Sequence, residues 1–286
     1  MKKKLKIAIQ KSGRLYEDSI KLLKDCGIEI NTGIEQLKAT ALNFPIEIFF
    51  LRDDDIPKYL EDGVADIGMI GKNIFLEKRK KIIIKEFLGF GKCRLSIAIP
   101  KSMKYKKIND LNNKRIATSY PVLVKKFLKK NNIIAEIHEI SGAVEIAPGI
   151  GLGDCICDLV NNGSTLFMNG LKEVQTILES EAVLASHPIL NTIQEELMNK
   201  LLFRIRAVKK AKNNKYILLN APNEKLEKII SFLPAMKSPT ILPLAHHGWS
   251  SVNSVIDEND FWNIIEKLKK NGAEGIIILP IEKMIL

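Results

Sequence analysis

A carboxylate followed by a loop of small and hydroxyl-bearing residues is the strongest chemical signal in the sequence. Asp158 stands near the end of the apolar stretch 154–160, and the loop 161–165 has the sequence Asn-Asn-Gly-Ser-Thr. Glycine lets a phosphate approach the backbone, and successive N–H groups with the Ser164 and Thr165 hydroxyls can surround it. Asp158 lies where a carboxylate could accept hydrogen bonds from ribose hydroxyls. An ordinary strand-then-turn segment explains the same residues, so two interpretations stay open.

Three basic residues follow predicted strands near the start of the chain. Lys11 and Arg14 stand in the loop after the strand Leu5–Ile9, and Arg52 directly follows the strand Ile46–Leu51. Cations at strand ends suit a triphosphate or a pyrophosphate, because arginine can bind two oxygens at once. The alternative is a solvated basic turn.

Three consecutive carboxylates, Asp53 to Asp55, come next. They could bind Mg²⁺ through water. They could equally cap the following helix, with Arg52 relieving their mutual repulsion. The four histidines and four cysteines lack zinc-site spacing. The ligands of any metal therefore stay unassigned.

A run of hydroxyl side chains, Thr118, Ser119 and Tyr120, ends another predicted strand and precedes the helix Pro121–Lys129. The hydroxyls and the helix N-terminus suit an anion, and Tyr120 could pack against a planar base. An ordinary helix cap with a half-buried tyrosine is the competing interpretation. We find no Ser/His/Asp or Cys/His pattern typical of a catalytic nucleophile.

The elements that must position these residues form two successive α/β series and a different C-terminal part. Strand–helix–strand alternation indicates mostly parallel sheets, whose ligands usually bind at the carboxyl ends of the strands. A short helix is predicted over Gly142–Ile150. After a charged linker at Lys209–Asn214, strands and two amphipathic helices, Asn223–Leu233 and Asp260–Lys270, follow in ferredoxin-like βαββαβ order.

Composition narrows the class of protein. The 44 Lys and Arg exceed the 33 Asp and Glu, giving a net charge of +11. This excess fits either polyanion binding or a lysine-rich solvated surface. No nucleic-acid-binding motif is present. No apolar run approaches the ~18–20 residues that span a bilayer, and the basic start does not resemble a signal peptide. We expect a cytoplasmic protein that binds neither nucleic acid nor membrane.

Several segments, taken in order, resemble the long form of ATP phosphoribosyltransferase, and together they cover essentially the whole chain. They are Gln10-Lys11-Ser12-Gly13-Arg14-Leu15, Arg52-Asp53-Asp54-Asp55-Ile56-Pro57, Asp66-Ile67-Gly68-Met69-Ile70-Gly71, Arg115-Ile116-Ala117-Thr118-Ser119-Tyr120-Pro121, Glu145 through Leu171, Ser238 through Leu244, and Leu279 through Met284.

The resemblance implies a Mg²⁺-dependent transferase. N1 of ATP attacks C1 of 5-phosphoribosyl 1-pyrophosphate with inversion, and pyrophosphate leaves, as the first step of histidine biosynthesis. It also implies two lobes like those of periplasmic binding proteins and a regulatory domain that binds histidine as a feedback inhibitor. The expected bounds are 1–94 with 180–209 for lobe I, 95–179 for lobe II and 210–286 for the regulatory domain. Dimers are expected to form a hexamer.

The resemblance also assigns site residues. Asp158 matches the position that meets ribose, and Gly163, Ser164 and Thr165 match the loop that holds the 5-phosphate. Asn162 belongs to this loop and stands where the family usually has Ser or Thr. The residues that match positions near the polyphosphates are Lys11, Arg14 and Arg52, and those that match the nucleotide side are Thr118, Ser119 and Tyr120. The stretch His246–Asn253 matches the family poorly.

Overall fold

A computed structural model of the chain describes residues 4–31, 37–233 and 238–285, and the chain divides into two compact units, Met1–Asn199 and Lys200–Leu286. The strands are β1 (Leu5–Gln10), β2 (Lys38–Thr40), β3 (Ile46–Leu51), β4 (Ile67–Gly71), β5 (Ile83–Phe87), β6 (Cys93–Pro100), β7 (Arg115–Thr118), β8 (Glu136–Glu139), β9 (Cys155–Val160), β10 (Leu171–Ser180), β11 (Ala182–Ser186), β12 (Asn214–Pro222), β13 (Thr240–Pro243), β14 (Trp249–Asp257) and β15 (Glu274–Pro280). The α-helices are α1 (Arg14–Asp25), α2 (Ile56–Glu61), α3 (Lys72–Lys78), α4 (Pro121–Lys130), α5 (Ser164–Met168), α6 (Thr192–Lys212), α7 (Leu226–Ser231) and α8 (Phe261–Lys270).

Lobe I is built on a six-stranded sheet in the order β2-β3-β1-β4-β11-β5, with α1, α2 and α3 attached. Strands β1, β3 and β4 run parallel, so their carboxyl ends share one edge. Gln10 pairs with Leu51 at that edge. The strands β1 and β4 are nearly continuous apolar runs because most of their side chains are buried.

Lobe II is built on a five-stranded sheet in the order β10-β6-β9-β7-β8. Strands β7, β8 and β9 are parallel, and Thr118 at the end of β7 pairs with both Glu139 and Cys157. The core of this lobe gathers Ile97, Ile116 and Val124, all fully buried.

The chain crosses between the two sheets twice, from Phe87 to Cys93 and from Ser180 to Ala182. Strand register puts both crossings beside the carboxyl ends of the parallel strands in each sheet, since Ala182 pairs with Gly71 and Arg94 pairs with Val160. The loops that follow those strands therefore lie where the lobes face each other, the usual place for ligands in such folds. The predicted two-lobed α/β class is confirmed.

The C-terminal sheet has the order β13-β14-β12-β15, and its strand pairs are antiparallel. Helices α7 and α8 pack on it through a separate core that includes Leu219, Ile229 and Leu268. The order of elements, β12-α7-β13-β14-α8-β15, confirms the predicted ferredoxin-like pattern.

Three local predictions were wrong. The expected linker at Lys209–Asn214 is helical as far as Lys212, where α6 ends. The helix expected over Gly142–Ile150 is only a 3₁₀ turn at Val144–Ile146, because Pro148 and the flanking glycines do not sustain a helix. The helix expected over Asn223–Leu233 shortens to α7 behind a 3₁₀ turn. The domain bounds stay a prediction.

Candidate active site

The three cations named from the sequence lie at the start of the segments that leave β1 and β3. The N–H of Lys11 donates to the carbonyl of Leu51 at 2.9 Å, which fixes Lys11 beside Arg52. Arg14 opens α1 one turn later. All three side chains are exposed. Within the described residues, no carboxylate lies within ion-pair distance of any of them. These positive charges are therefore available to an anion.

Asp158 lies half-buried on β9, opposite Ser96 of β6. Its Oδ1 accepts a hydrogen bond from the N–H of Leu159 at 2.8 Å. Burial raises the pKa of the Asp158 carboxyl, and the charge of Glu145 raises it further. Both effects would be relieved by a ligand that donates hydrogen bonds to this carboxylate.

The loop after β9 is folded by its own side chains. Asn162 Oδ1 accepts hydrogen bonds from the Ser164 N–H at 3.2 Å and from the Ser164 hydroxyl at 2.8 Å. Gly163 has a φ of 78°, a left-handed conformation that glycine adopts without strain. Nothing lies within 4 Å of the position that a Cβ would take there. The loop therefore offers an open approach to its backbone, with Thr165 exposed beside it.

Arg94 supports the base of this loop and was missed by sequence reasoning. Its Nε and Nη2 each donate to Glu173 at 2.6 Å, and its Nη1 donates to the carbonyl of Asn161 at 3.1 Å. A pocket of about 520 Å³ opens at the crossings between the lobes, lined by Arg94, Asn161 and Lys72 among others. Only the three-dimensional pairing of β6 with β10 could reveal this support.

The carboxylates after Arg52 do not form a metal cage. The described residues contain no group of three His, Cys, Asp or Glu side chains that could hold a metal ion. Asp55 makes no side-chain hydrogen bond that caps α2, so the capping alternative is wrong for that residue, whereas Mg²⁺ bound through water stays a prediction. Asp53 is half-buried, and burial together with Asp54 raises its pKa to about 6, against an opposing effect of Lys78.

The hydroxyls of Thr118 and Ser119, at the end of β7, form hydrogen bonds with backbone groups. Thr118 Oγ1 donates to the Cys157 carbonyl at 2.6 Å and accepts from the Tyr120 N–H at 3.0 Å. Ser119 Oγ donates to the Ile140 carbonyl at 2.6 Å. Tyr120 is 8% exposed and belongs to the lobe II core. These side chains shape the end of β7 and leave little free hydroxyl for an anion.

Tyr120 nevertheless marks where the lobes meet. Its hydroxyl accepts a hydrogen bond from Asn73 of lobe I at 3.1 Å. Burial raises the pKa of Tyr120, and so do the charges of Asp158 from lobe II and of Asp53 and Asp54 from lobe I. Carboxylate charges from both lobes therefore act on Tyr120.

Comparison with known proteins decides the family. Residues 52–207 match the family model described as ATP phosphoribosyltransferase, and residues 211–283 match the one described as HisG, C-terminal domain. The ATP phosphoribosyltransferase of Cytophaga hutchinsonii is 56% identical over 98% of both chains. That of Bacteroides thetaiotaomicron is 54% identical over 99% of this chain and 100% of its own.

The chain belongs to the ATP phosphoribosyltransferase family. It is a pentosyltransferase of histidine biosynthesis. A solved structure, the ATP phosphoribosyl transferase (HisG:HisZ) complex from Thermotoga maritima, is 31% identical with a TM-score of 0.60. The match covers 71% of this chain and 98% of that one. The match to the C-terminal domain model agrees with the long form predicted from the sequence.

Three of the four cysteines in the chain are unsuited to act as nucleophiles. Cys26, Cys155 and Cys157 are buried. Burial raises the pKa of Cys155 to about 12 and that of Cys157 well above its usual range. A thiol with a raised pKa carries almost no thiolate at neutral pH. Cys155 and Cys157 lie on β9, which also carries Asp158, and they serve the packing of that strand.

Proposed function

We propose that the two lobes divide the reacting groups between them. Lobe II holds the ribose and its 5-phosphate, and lobe I holds the pyrophosphate that leaves. N1 of the adenine ring forms a bond to C1 of the ribosyl group as the C1–oxygen bond breaks, and pyrophosphate departs with the electron pair. The observation that carries this proposal is that exposed cations follow two parallel strands of lobe I, whereas a half-buried carboxylate and an open glycine loop end a parallel strand of lobe II.

In lobe II, Asp158 accepts hydrogen bonds from the ribose hydroxyls. The backbone N–H groups of Gly163, Ser164 and Thr165 surround the 5-phosphate, and the free Thr165 hydroxyl adds a donor. Asn162 contributes by folding the loop through Ser164 rather than by touching the phosphate, as its two hydrogen bonds indicate.

In lobe I, Lys11, Arg14 and Arg52 bind the polyphosphate. As the C1–oxygen bond breaks, the ribosyl ring gains positive character and the pyrophosphate gains negative charge. Fixed cations stabilise this developing charge, and the alignment of N1 with C1 contributes the remaining rate enhancement. No covalent intermediate is needed, which agrees with the buried thiols.

Mg²⁺ enters this proposal with its polyphosphate substrate. The described residues do not offer a three-ligand protein site, whereas a cation bound to phosphates needs few protein ligands. When bound there, it neutralises part of the pyrophosphate charge. The chain's own cations neutralise the rest.

The nucleotide side of the site lies at the end of β7 in this proposal. Tyr120 borders the adenine through its hydroxyl edge, where Asp158 and Asp53 also approach. Thr118 and Ser119 act by holding the strand end in shape, because their hydroxyls already bond to carbonyls.

Histidine inhibition, assembly and location complete the proposal. The C-terminal βαββαβ unit binds histidine as a feedback inhibitor, and dimers of the chain assemble to a hexamer in the cytoplasm. The predicted bounds of the three domains belong to this proposal as well. Support comes from the separate core of the C-terminal sheet and from its match to the family's C-terminal domain. Among the described residues, no helix has both the length and the apolar character needed to cross a membrane.

The direct test is turnover by the purified full-length chain. With Mg²⁺, ATP and 5-phosphoribosyl 1-pyrophosphate, we expect N1-(5-phosphoribosyl)-ATP and pyrophosphate in equal amounts, identified by mass spectrometry. A folded oligomer that binds both substrates without turnover would instead support a binding protein. Salt-sensitive binding of duplex DNA or RNA at physiological ionic strength would favour a nucleic-acid-binding role for the +11 charge.

A further inference from the structure

Helix α3 of lobe I presents two buried polar side chains to lobe II. Asn73 is 4% exposed and Glu77 is 7% exposed. They stand four residues apart and so share one face of the helix. Buried polar groups need hydrogen-bond partners, and both residues find them across the boundary between the lobes.

Glu77 caps a helix of the other lobe. One carboxylate oxygen accepts the N–H of Val122 at 2.8 Å, and the other accepts the N–H of Leu123 at 2.9 Å. These are first-turn amides of α4, which have no acceptor inside their own helix. Helix α4 begins at Pro121 and has no side-chain cap of its own. The cap that most helices find locally is here supplied by lobe I.

Asn73 ties the same face to Tyr120 of lobe II and to Ser180 at the end of β10, where the chain crosses between the lobes. Its Nδ2 donates to the Tyr120 hydroxyl, and its Oδ1 accepts a hydrogen bond from the Ser180 hydroxyl at 2.9 Å. The Asn73 N–H donates to Ser180 Oγ at 3.0 Å. A Cβ at position 71 would overlap Asn73 Oδ1, so Gly71 is required for this arrangement.

We infer that Glu77 is a positioning residue for phosphoribosyl transfer, because its interlobe cap sets the orientation of lobe II relative to the cations of lobe I. If the lobes part, the Glu77 carboxylate and the N–H groups of Val122 and Leu123 all lose their hydrogen-bond partners. The cap therefore favours one relative orientation of the two lobes over slightly different ones. In that orientation Asn73 reaches Tyr120 of lobe II, directly before helix α4. This inference rests on the proposed division of the reacting groups between the lobes.

The kinetic test compares Glu77→Gln with Asp110→Asn. Gln keeps the shape of Glu77 but turns an amide N–H₂ toward one of the two donors. Asp110 is the matched control, since its carboxylate also accepts two backbone N–H groups, those of Lys106 and Lys107, within lobe II alone. We expect Glu77→Gln to lower kcat by about 10- to 100-fold, as small misalignment of reacting groups does. Asp110→Asn should leave kcat unchanged.

A binding measurement separates alignment from substrate affinity. Ribose 5-phosphate is the probe, because in the proposed site it contacts lobe II only. Its inhibition constant should change by less than about twofold in Glu77→Gln while kcat falls. If Glu77 had only a structural role, its substitution would change both kcat and the inhibition constant of ribose 5-phosphate, or would change neither.

Amide hydrogen exchange tests the cap without using activity. The Val122 and Leu123 amides depend on Glu77 for protection, so both should exchange faster in Glu77→Gln and stay protected in Asp110→Asn. Unchanged exchange would refute the cap. Faster exchange with wild-type kcat would refute the positioning role while leaving the proposed function intact. A wild-type chain that forms no phosphoribosyl-ATP would refute the proposed function, and the positioning role with it.

Discussion

Asp158 is the residue on which the ribose assignment depends. Within the described residues its carboxylate accepts a hydrogen bond from one backbone donor, the Leu159 N–H, and its charge acts on Tyr120. A half-buried carboxylate with few protein donors is suited to accept them from a substrate. A substitution that keeps the shape and removes the charge therefore tests its role.

We expect Asp158→Asn to raise the KM for 5-phosphoribosyl 1-pyrophosphate by about 10- to 100-fold, the usual effect of losing hydrogen bonds to a charged group. The dissociation constant for ATP should change little. Asp154→Asn is the control, because Asp154 precedes the same strand but pairs with Arg115 at 2.9 Å. Initial-rate kinetics with each substrate varied, together with ATP titration calorimetry, measure both. If Asp158→Asn weakens the binding of both substrates equally, Asp158 has a structural role and does not contact the ribose.

The negative charge of Asp53, in the segment after β3 of lobe I, lowers the stability of the fold. Its Oδ1 is buried and has no hydrogen-bond partner within the described chain. Its pKa of about 6 exceeds the ordinary value of 3.8 mainly because burial disfavours the charged form. Between these two pH values the folded state binds more protons than the unfolded state, so stability falls as pH rises.

The expected result is that Asp53→Asn stabilises the fold at neutral pH by about 1–3 kcal/mol, since one pKa unit corresponds to about 1.4 kcal/mol. The advantage should shrink as pH falls below 6 and vanish below about pH 3, where Asp53 is protonated in both the folded and the unfolded state. Urea unfolding across this range measures it, with exposed Asp55→Asn as the control. A pH-independent difference would mean that packing, not charge, is responsible.

At the scale of elements, the loop after β9 is held from two sides. Arg94 fixes the Asn161 carbonyl, and Asn162 folds back on Ser164. Gly163 makes the left-handed step between them. Gly170 has a similar φ of 67° on the other side of α5, and nothing lies within 4 Å of its missing Cβ either. The two glycines thus bracket one short helix in matching conformations.

This match gives a controlled test. Gly163→Ala and Gly170→Ala should each cost about 1–2 kcal/mol, because a Cβ strains a left-handed conformation. Only Gly163→Ala should also raise the KM for 5-phosphoribosyl 1-pyrophosphate, since it alone disturbs the proposed phosphate contacts. Thermal unfolding and steady-state kinetics on both variants measure the two effects. If Gly163→Ala and Gly170→Ala show similar kinetics, the loop after β9 does not bind the phosphate.

The sequence predicted those elements whose residues form a recognisable local pattern, such as an apolar run or helical spacing. Apolar runs located β1, β3 and β9, and the residues after them contain the candidate site because strand ends position ligands. Helical spacing located α8. Strand β10 was missed because its exposed and half-buried side chains do not alternate cleanly. The partners of Glu77 and Tyr120 were also missed, since pairing between lobes leaves no local pattern.

At the scale of the whole molecule, the proposed inhibition by histidine would have to connect two units that each have their own hydrophobic core. The C-terminal sheet buries its own set of apolar residues, among them Ile217, Val252 and Ile264. A unit with its own core can hold a ligand site independently of the catalytic lobes. Any inhibition by histidine is then a coupling free energy between distinct sites, and such coupling is reciprocal.

Reciprocity makes the histidine proposal measurable from both directions. If histidine weakens 5-phosphoribosyl 1-pyrophosphate binding by some factor, that substrate must weaken histidine binding by the same factor, about 5- to 150-fold for typical coupling. Titration calorimetry of the full chain with each ligand, alone and in the presence of the other, measures both factors. D-Histidine is the control for nonspecific binding. The stretch 246–253, which departs from the family pattern, includes Gly248 and the start of β14. If this departure has removed the site, L-histidine and D-histidine will bind equally weakly, and the chain will catalyse without feedback.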